Sequence, residues 1–115
     1  EITVYNYGNM KRDFTFVEDI LDGIECVLNH PEIESGEIFN IGRGEQVELM
    51  EFITQIEKNV GKEAIKNLAP KHPADTLETW SNTSKLEALG YQPKVSIAEG
   101  VERFYEWYKT YNGIK

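Results

Sequence analysis

Apolar residues recur at helical spacing in three stretches of the chain and cluster at strand-like density in two others. Val17, Ile20, Leu21, Ile24, Val27 and Leu28 fall three and four positions apart, while Glu18, Asp19, Asp22 and Glu25 take the other face or the first turns. This predicts an amphipathic helix with Thr15 as a candidate N-cap and Pro31 closing it. Leu49, Phe52, Ile53, Ile56 and Val60 form a second stripe, stopped by Gly61. Ile97, Val101, Phe104, Tyr105 and Tyr108 form a third, entered after Pro93. A shorter helix fits between a cap at Thr83 or Ser84 and Gly90. The strand-like runs are Ile2-Thr3-Val4-Tyr5, which leads into the turn-like Asn6-Tyr7-Gly8-Asn9, and Glu37-Ile38-Phe39-Asn40-Ile41, which ends in Gly42-Arg43-Gly44. Residues 62–79 are less regular, with room for a weak strand or two. The alternation of strands and helices predicts an α/β fold, a small mixed domain of short strands and amphipathic helices.

Composition narrows the class. The chain has 115 residues, 40% hydrophobic and 11% aromatic, which is enough for one small domain over residues 1–115 and excludes a disordered polar tail. Twelve basic residues against 20 acidic ones give a net charge of −8, a field that repels nucleic acid and anionic membrane, so any bound phosphate needs a local site. No apolar run is long enough to span a bilayer, and no signal-peptide pattern is read in these residues. The lone Cys26 reads as a small core residue, and reduced cytoplasm is the default compartment. A start at Glu1, without methionine and inside a strand-like run, is expected of a piece of a longer protein.

Few residues suggest chemistry. Gly42-Arg43-Gly44 lies between a strand-like run and a helix, but it lacks the third glycine of a dinucleotide fingerprint and the lysine of a phosphate cradle, and it reads as a plain turn. His30 and His72 have no partner at ligand spacing, so no metal site is expected. Most carboxylates read as solvated helix faces. Lys11-Arg12-Asp13-Phe14 is different: it sets two cations just before a helix start in an acidic chain. Arginine grips phosphate with a two-pronged fork, and a helix N-terminus adds partial positive charge. The competing reading of Arg12 is a surface arginine paired with a carboxylate. Asp75 lies in an irregular segment beside Lys71 and His72, where a carboxylate can accept from sugar hydroxyls or cap a turn. No catalytic constellation is expected within the chain. Tyr105 and Lys109 share the spacing of a Tyr-x-x-x-Lys pair only by coincidence on the last helix.

The run from Val4 to Ile20, with Arg12-Asp13-Phe14 at its centre, closely resembles a segment of the nucleotide-sugar epimerases of the extended short-chain dehydrogenase/reductase superfamily, most of all the UDP-glucuronate 4-epimerase branch. Phe39-Asn40-Ile41-Gly42 with Val47–Ile53, then His72-Pro73-Ala74-Asp75, Thr79–Leu86 and Leu89–Pro93, resemble later segments of that family in the same order and extend the likeness over essentially the whole chain. The resemblance implies the C-terminal, substrate-binding portion of a Rossmann-type epimerase. It implies a UDP-sugar ligand, with Arg12 on the diphosphate, Asp75 on the ribose, and Tyr5, Phe14 and Val47 near the nucleotide pocket. His72 stands where relatives carry arginine or glutamine, and Ala74 replaces the usual glycine. NAD and the catalytic tyrosine, lysine and serine or threonine are expected upstream of Glu1, which makes the isolated chain inactive. The alternatives are a 4,6-dehydratase of the same superfamily and a non-catalytic interaction module. In the family, the helix near Phe16 and the strand near Phe39 pack on the cofactor domain. A solitary chain is therefore expected to form a homodimer or a domain-swapped assembly.

Overall fold

The architecture described here is that of a computed structural model covering residues 1–114. Strand β1 (Ile2–Val4) leads through a 3-10 turn (Tyr5–Gly8) to β2 (Lys11–Arg12) and helix α1 (Val17–Leu28). A long irregular connection reaches β3 (Val47–Glu48), which runs directly into α2 (Leu49–Val60). Strand β4 (Lys66–Leu68), the short helix α3 (Ser84–Glu87) and α4 (Ile97–Asn112) complete the order. The strands form two separate pairs, β1 parallel to β4 and β2 antiparallel to β3. The mixed α/β class expected from the pattern is observed.

The predicted stops and starts are largely local, and the chain obeys them where local chemistry suffices. Gly61 ends α2 in the left-handed conformation, φ 71°, which a residue without Cβ adopts at no steric cost. Ser96 caps α4, its hydroxyl accepting from the Glu99 amide at 3.2 Å. Helices α2 and α4 pack against each other, and each contributes a buried apolar residue, Ile53 and Val101.

Three expectations are corrected. Residues 37–41 form no strand, and Ile38 is 80% exposed. A strand needs a ladder partner, and none of the described strands lies beside this run. Thr15 does not cap α1. The N-cap residue is Phe16, with no side-chain hydrogen bond, and the Thr15 hydroxyl instead donates to Asp13 and accepts from the Arg43 amide. Asp19, placed by its spacing on a solvated face, is only 1% exposed. Its two oxygens accept from the amides of Lys94 and Val95 at 2.8 and 3.1 Å, which ties the entry to α4 onto α1. The apolar stripe of α1 points the other way, and Leu28 is 76% exposed. Cys26 is half-buried, its thiol against the Leu89 carbonyl at 3.4 Å. No helix among the described residues is long and apolar enough to cross a membrane.

Candidate functional site

Strand β2 positions Arg12. Its neighbour Lys11 pairs with Glu48 across the antiparallel ladder and is bridged on its other side by Glu78. The Lys11 amide donates to Leu77 at 3.0 Å, and the Thr79 amide donates back to the Lys11 carbonyl at 3.3 Å. The irregular segment around residues 75–79 is thereby laid beside β2, which brings Asp75 to Arg12.

The guanidinium is densely satisfied. One terminal nitrogen donates to the carbonyls of Lys11 at 2.7 Å and Leu77 at 3.2 Å. The other donates to Asp75 Oδ1 and to the Thr76 carbonyl, each at 2.7 Å. Asp75 Oδ1 also accepts from the Thr76 amide at 2.9 Å. Both members of the ion pair are partly exposed, so a ligand can reach them.

His72 adjoins this pair through a turn in which the Asp75 amide donates to the His72 carbonyl at 3.0 Å. Its Nδ1 accepts from the Ala74 amide at 3.2 Å, which holds the ring. The exposed ring of Tyr5 meets that of His72 edge-on, centroids 6.3 Å apart. Val47 sits opposite Arg12 in the β2–β3 register and is buried. Arg12, Asp75, His72 and Tyr5 are thus linked by successive contacts, with Val47 beside Arg12 in the ladder. Phe14 lies apart from these contacts. It stacks on Phe52 at 4.1 Å, on the wall of an apolar groove of about 510 Å³ that runs between α2 and α4.

Asp13 is the residue that sequence reasoning passed over. Its Oδ1 accepts from the Thr15 hydroxyl at 3.1 Å and the Arg43 amide at 3.1 Å. Its Oδ2 accepts from the amides of Gly44 at 2.9 Å and Ser81 at 3.0 Å. Successive amides in a glycine turn make a concavity suited to an anion, and here the chain's own carboxylate fills it. Gly42-Arg43-Gly44 is thus a structural turn and not a phosphate loop. Only the position of Asp13, just after Arg12 and before a helix, hinted at it. Tyr91 closes the same region. Its buried hydroxyl donates to the Gly42 carbonyl at 2.8 Å. Burial first, then the negative charges of Asp19, Asp13 and Asp22, push its pKa up to about 12, against the opposing pull of Arg43.

Chemically, this surface can hold a phosphate on a cation and hydroxyls on a carboxylate. The turn of Gly-x-Gly type is filled by Asp13 and follows no strand. Among the described residues no group of three or more His, Cys, Asp and Glu side chains converges on a metal position.

The profile of the GDP-mannose 4,6-dehydratase family matches residues 1–104. An uncharacterized protein of Methanocaldococcus jannaschii is 48% identical over 94% of this chain and 33% of its own length. A probable UDP-glucuronate 4-epimerase of Rhizobium meliloti is 37% identical over 93% of the chain and 37% of its own. The crystal structure of UDP-glucuronic acid 4-epimerase from Bacillus cereus, in complex with UDP-glucuronic acid and NAD, superposes with a TM-score of 0.85 at 34% identity, covering 95% of this chain and 35% of that one. The chain spans roughly a third of the length of these relatives.

Proposed function

The chain belongs to the GDP-mannose 4,6-dehydratase family, among the NAD-dependent epimerases and dehydratases of the extended short-chain dehydrogenase/reductase superfamily, and on that premise we propose that residues 1–115 are the nucleotide-sugar-binding part of a UDP-sugar 4-epimerase acting on UDP-glucuronate. The observation that carries this reading is the pairing of Arg12 with Asp75 across 63 residues of sequence, which joins a phosphate-type cation to a ribose-type carboxylate at one accessible spot. Arg12 takes the diphosphate, Asp75 the ribose hydroxyls, and His72 adds one donor. Tyr5 offers its ring to the base and Val47 an apolar neighbour of Arg12, while Phe14, expected near the pocket, lines the separate α2–α4 groove. NAD and the groups that move protons belong to another part of the protein. Binding energy collected at the nucleotide then positions the sugar carbon that reacts there.

A second reading, a nucleotide-sugar 4,6-dehydratase, draws support from the description of the matching family profile. It would use the same Arg12 contact to a sugar-nucleotide diphosphate, with a different base and sugar. The test of the site is calorimetric titration of the chain with UDP. Arg12→Ala is expected to weaken binding at least about tenfold, the scale of one charge-assisted hydrogen bond. Equal affinity in the variant would remove Arg12 from the site.

The exposed stripe of α1 (Val17, Leu21, Ile24 and Leu28) is proposed to pack on the dinucleotide-binding part of the protein. In the isolated chain the same face supports self-association, as a homodimer or a domain-swapped form.

A further inference from the structure

Four of the five N–H groups of Arg12 are already used, on Lys11 O, Leu77 O, Thr76 O and Asp75 Oδ1. Among the described residues only the Nε–H has no acceptor, whereas a fork onto phosphate needs two parallel N–H groups. One acceptor must therefore leave before phosphate is held well. Three of the four are backbone carbonyls; those of Lys11 and Leu77 are held in the ladder between β2 and residues 77–79, and that of Thr76 immediately precedes it. Only the Asp75 carboxylate can turn away by side-chain rotation.

We infer that Asp75 makes the Arg12 site selective for nucleoside-linked phosphate over bare phosphate, by occupying Arg12 until a ribose draws the carboxylate off. The inference rests on the nucleotide-binding reading above. A bare phosphate must displace Asp75 and leave that carboxylate beside a second anion with nothing new to accept, a like-charge cost. A nucleoside diphosphate brings hydroxyl donors within reach of the same carboxylate. Asp75 Oδ2 accepts from no described residue, so it can take the first of these while Oδ1 is still on Arg12. The acidic side chain thus moves from an internal cation to a ligand hydroxyl, and the N–H it gives up goes to phosphate. The net −8 charge of the chain adds a general repulsion of anions but cannot distinguish the two ligands.

The experiment measures UDP and inorganic pyrophosphate binding by calorimetry to the wild-type chain, Asp75→Asn and Asp75→Ala, with far-UV circular dichroism as the check on folding. In both variants pyrophosphate is expected to bind about tenfold tighter, the scale of one charge-assisted bond, while UDP affinity changes little, because the freed Arg12 offsets the lost ribose acceptor. The preference for UDP then shrinks about tenfold. A merely structural role would weaken both ligands in step, and that result overturns the inference while leaving UDP recognition standing. A folded wild-type chain that fails to bind UDP overturns both readings. The wild type reports the same coupling without substitution. Saturating uridine is expected to tighten inorganic phosphate binding, and an unchanged or weaker phosphate affinity refutes the exchange.

Discussion

One carboxylate, Asp13, collects backbone amides from positions 30, 31 and 68 residues further along the chain. Hydrogen bonds to a charged acceptor contribute about 1.5–3 kcal/mol each, and orphaned amides carry their own desolvation cost. Asp13→Ala is therefore expected to destabilise the chain by about 3 kcal/mol, with a smaller loss in Asp13→Asn, read from urea unfolding. Tyr91 belongs to the same cluster and has a pH signature. Its folded pKa is raised to about 12 from 10.0, so the folded state holds the phenolic proton more tightly than the unfolded chain. That stabilisation is complete below pH 10 and is lost as pH rises toward 12. Tyr91→Phe orphans the Gly42 carbonyl and is expected to cost about 1–2 kcal/mol at pH 8. The gap to wild type should narrow at pH 11 in urea melts, and a constant gap would refute the assignment. Beyond the position of Asp13 before a helix, none of this was legible beforehand, because a lone aspartate after an arginine does not announce amides dozens of residues away.

At the scale of elements, α1 is instructive. Its apolar periodicity was readable and the helix is there, within a residue or two of where the pattern put it. Which face meets the rest of the chain was not readable. The packed face presents Asp19 and Gly23, and a Cβ on Gly23 would lie 2.6 Å from Ile41 Cγ2. The close approach of Ile41 and Leu86 uses a glycine in place of the stripe. Periodicity gives the direction of an apolar face and not the identity of what covers it. Asp19→Ala strips two amides of a buried acceptor and is expected to cost about 2–4 kcal/mol. Leu21→Ser, on the stripe, is expected to stay within about 0.5 kcal/mol in the isolated chain. Thermal melts of the two variants decide this, and the opposite order would reverse the orientation of α1. The run 37–41 had strand composition for a related reason: β propensity records a half-buried setting, and none of the described strands neighbours it.

The whole molecule is a slab, 51 × 38 × 18 Å, with a radius of gyration of 16.9 Å. A compact domain of this length has a radius near 13 Å. The excess, together with the exposed faces of α1 and of Phe104, Trp107 and Tyr111 on α4, means that much apolar surface is not covered by this chain. Light scattering across a concentration series is expected to show species above the monomer mass, reduced by Leu21→Glu with Ile24→Glu. Monomers at every concentration would refute self-association through α1.

The sequence by itself determined what lies within a few residues' reach: the order of the helices, the stop at Gly61 and the acidic field, and it singled out Arg12 and Asp75 as candidates. Repeat spacing and turn chemistry are local properties, so a linear reading captures them. Only the tertiary structure decided that Arg12 and Asp75 touch at 2.7 Å, that Asp13 fills the glycine turn, and that α1 presents its apolar stripe outward. Each of these depends on where the chain returns in space, and a hydrogen bond spanning 63 residues leaves no periodic trace in the residues between its ends.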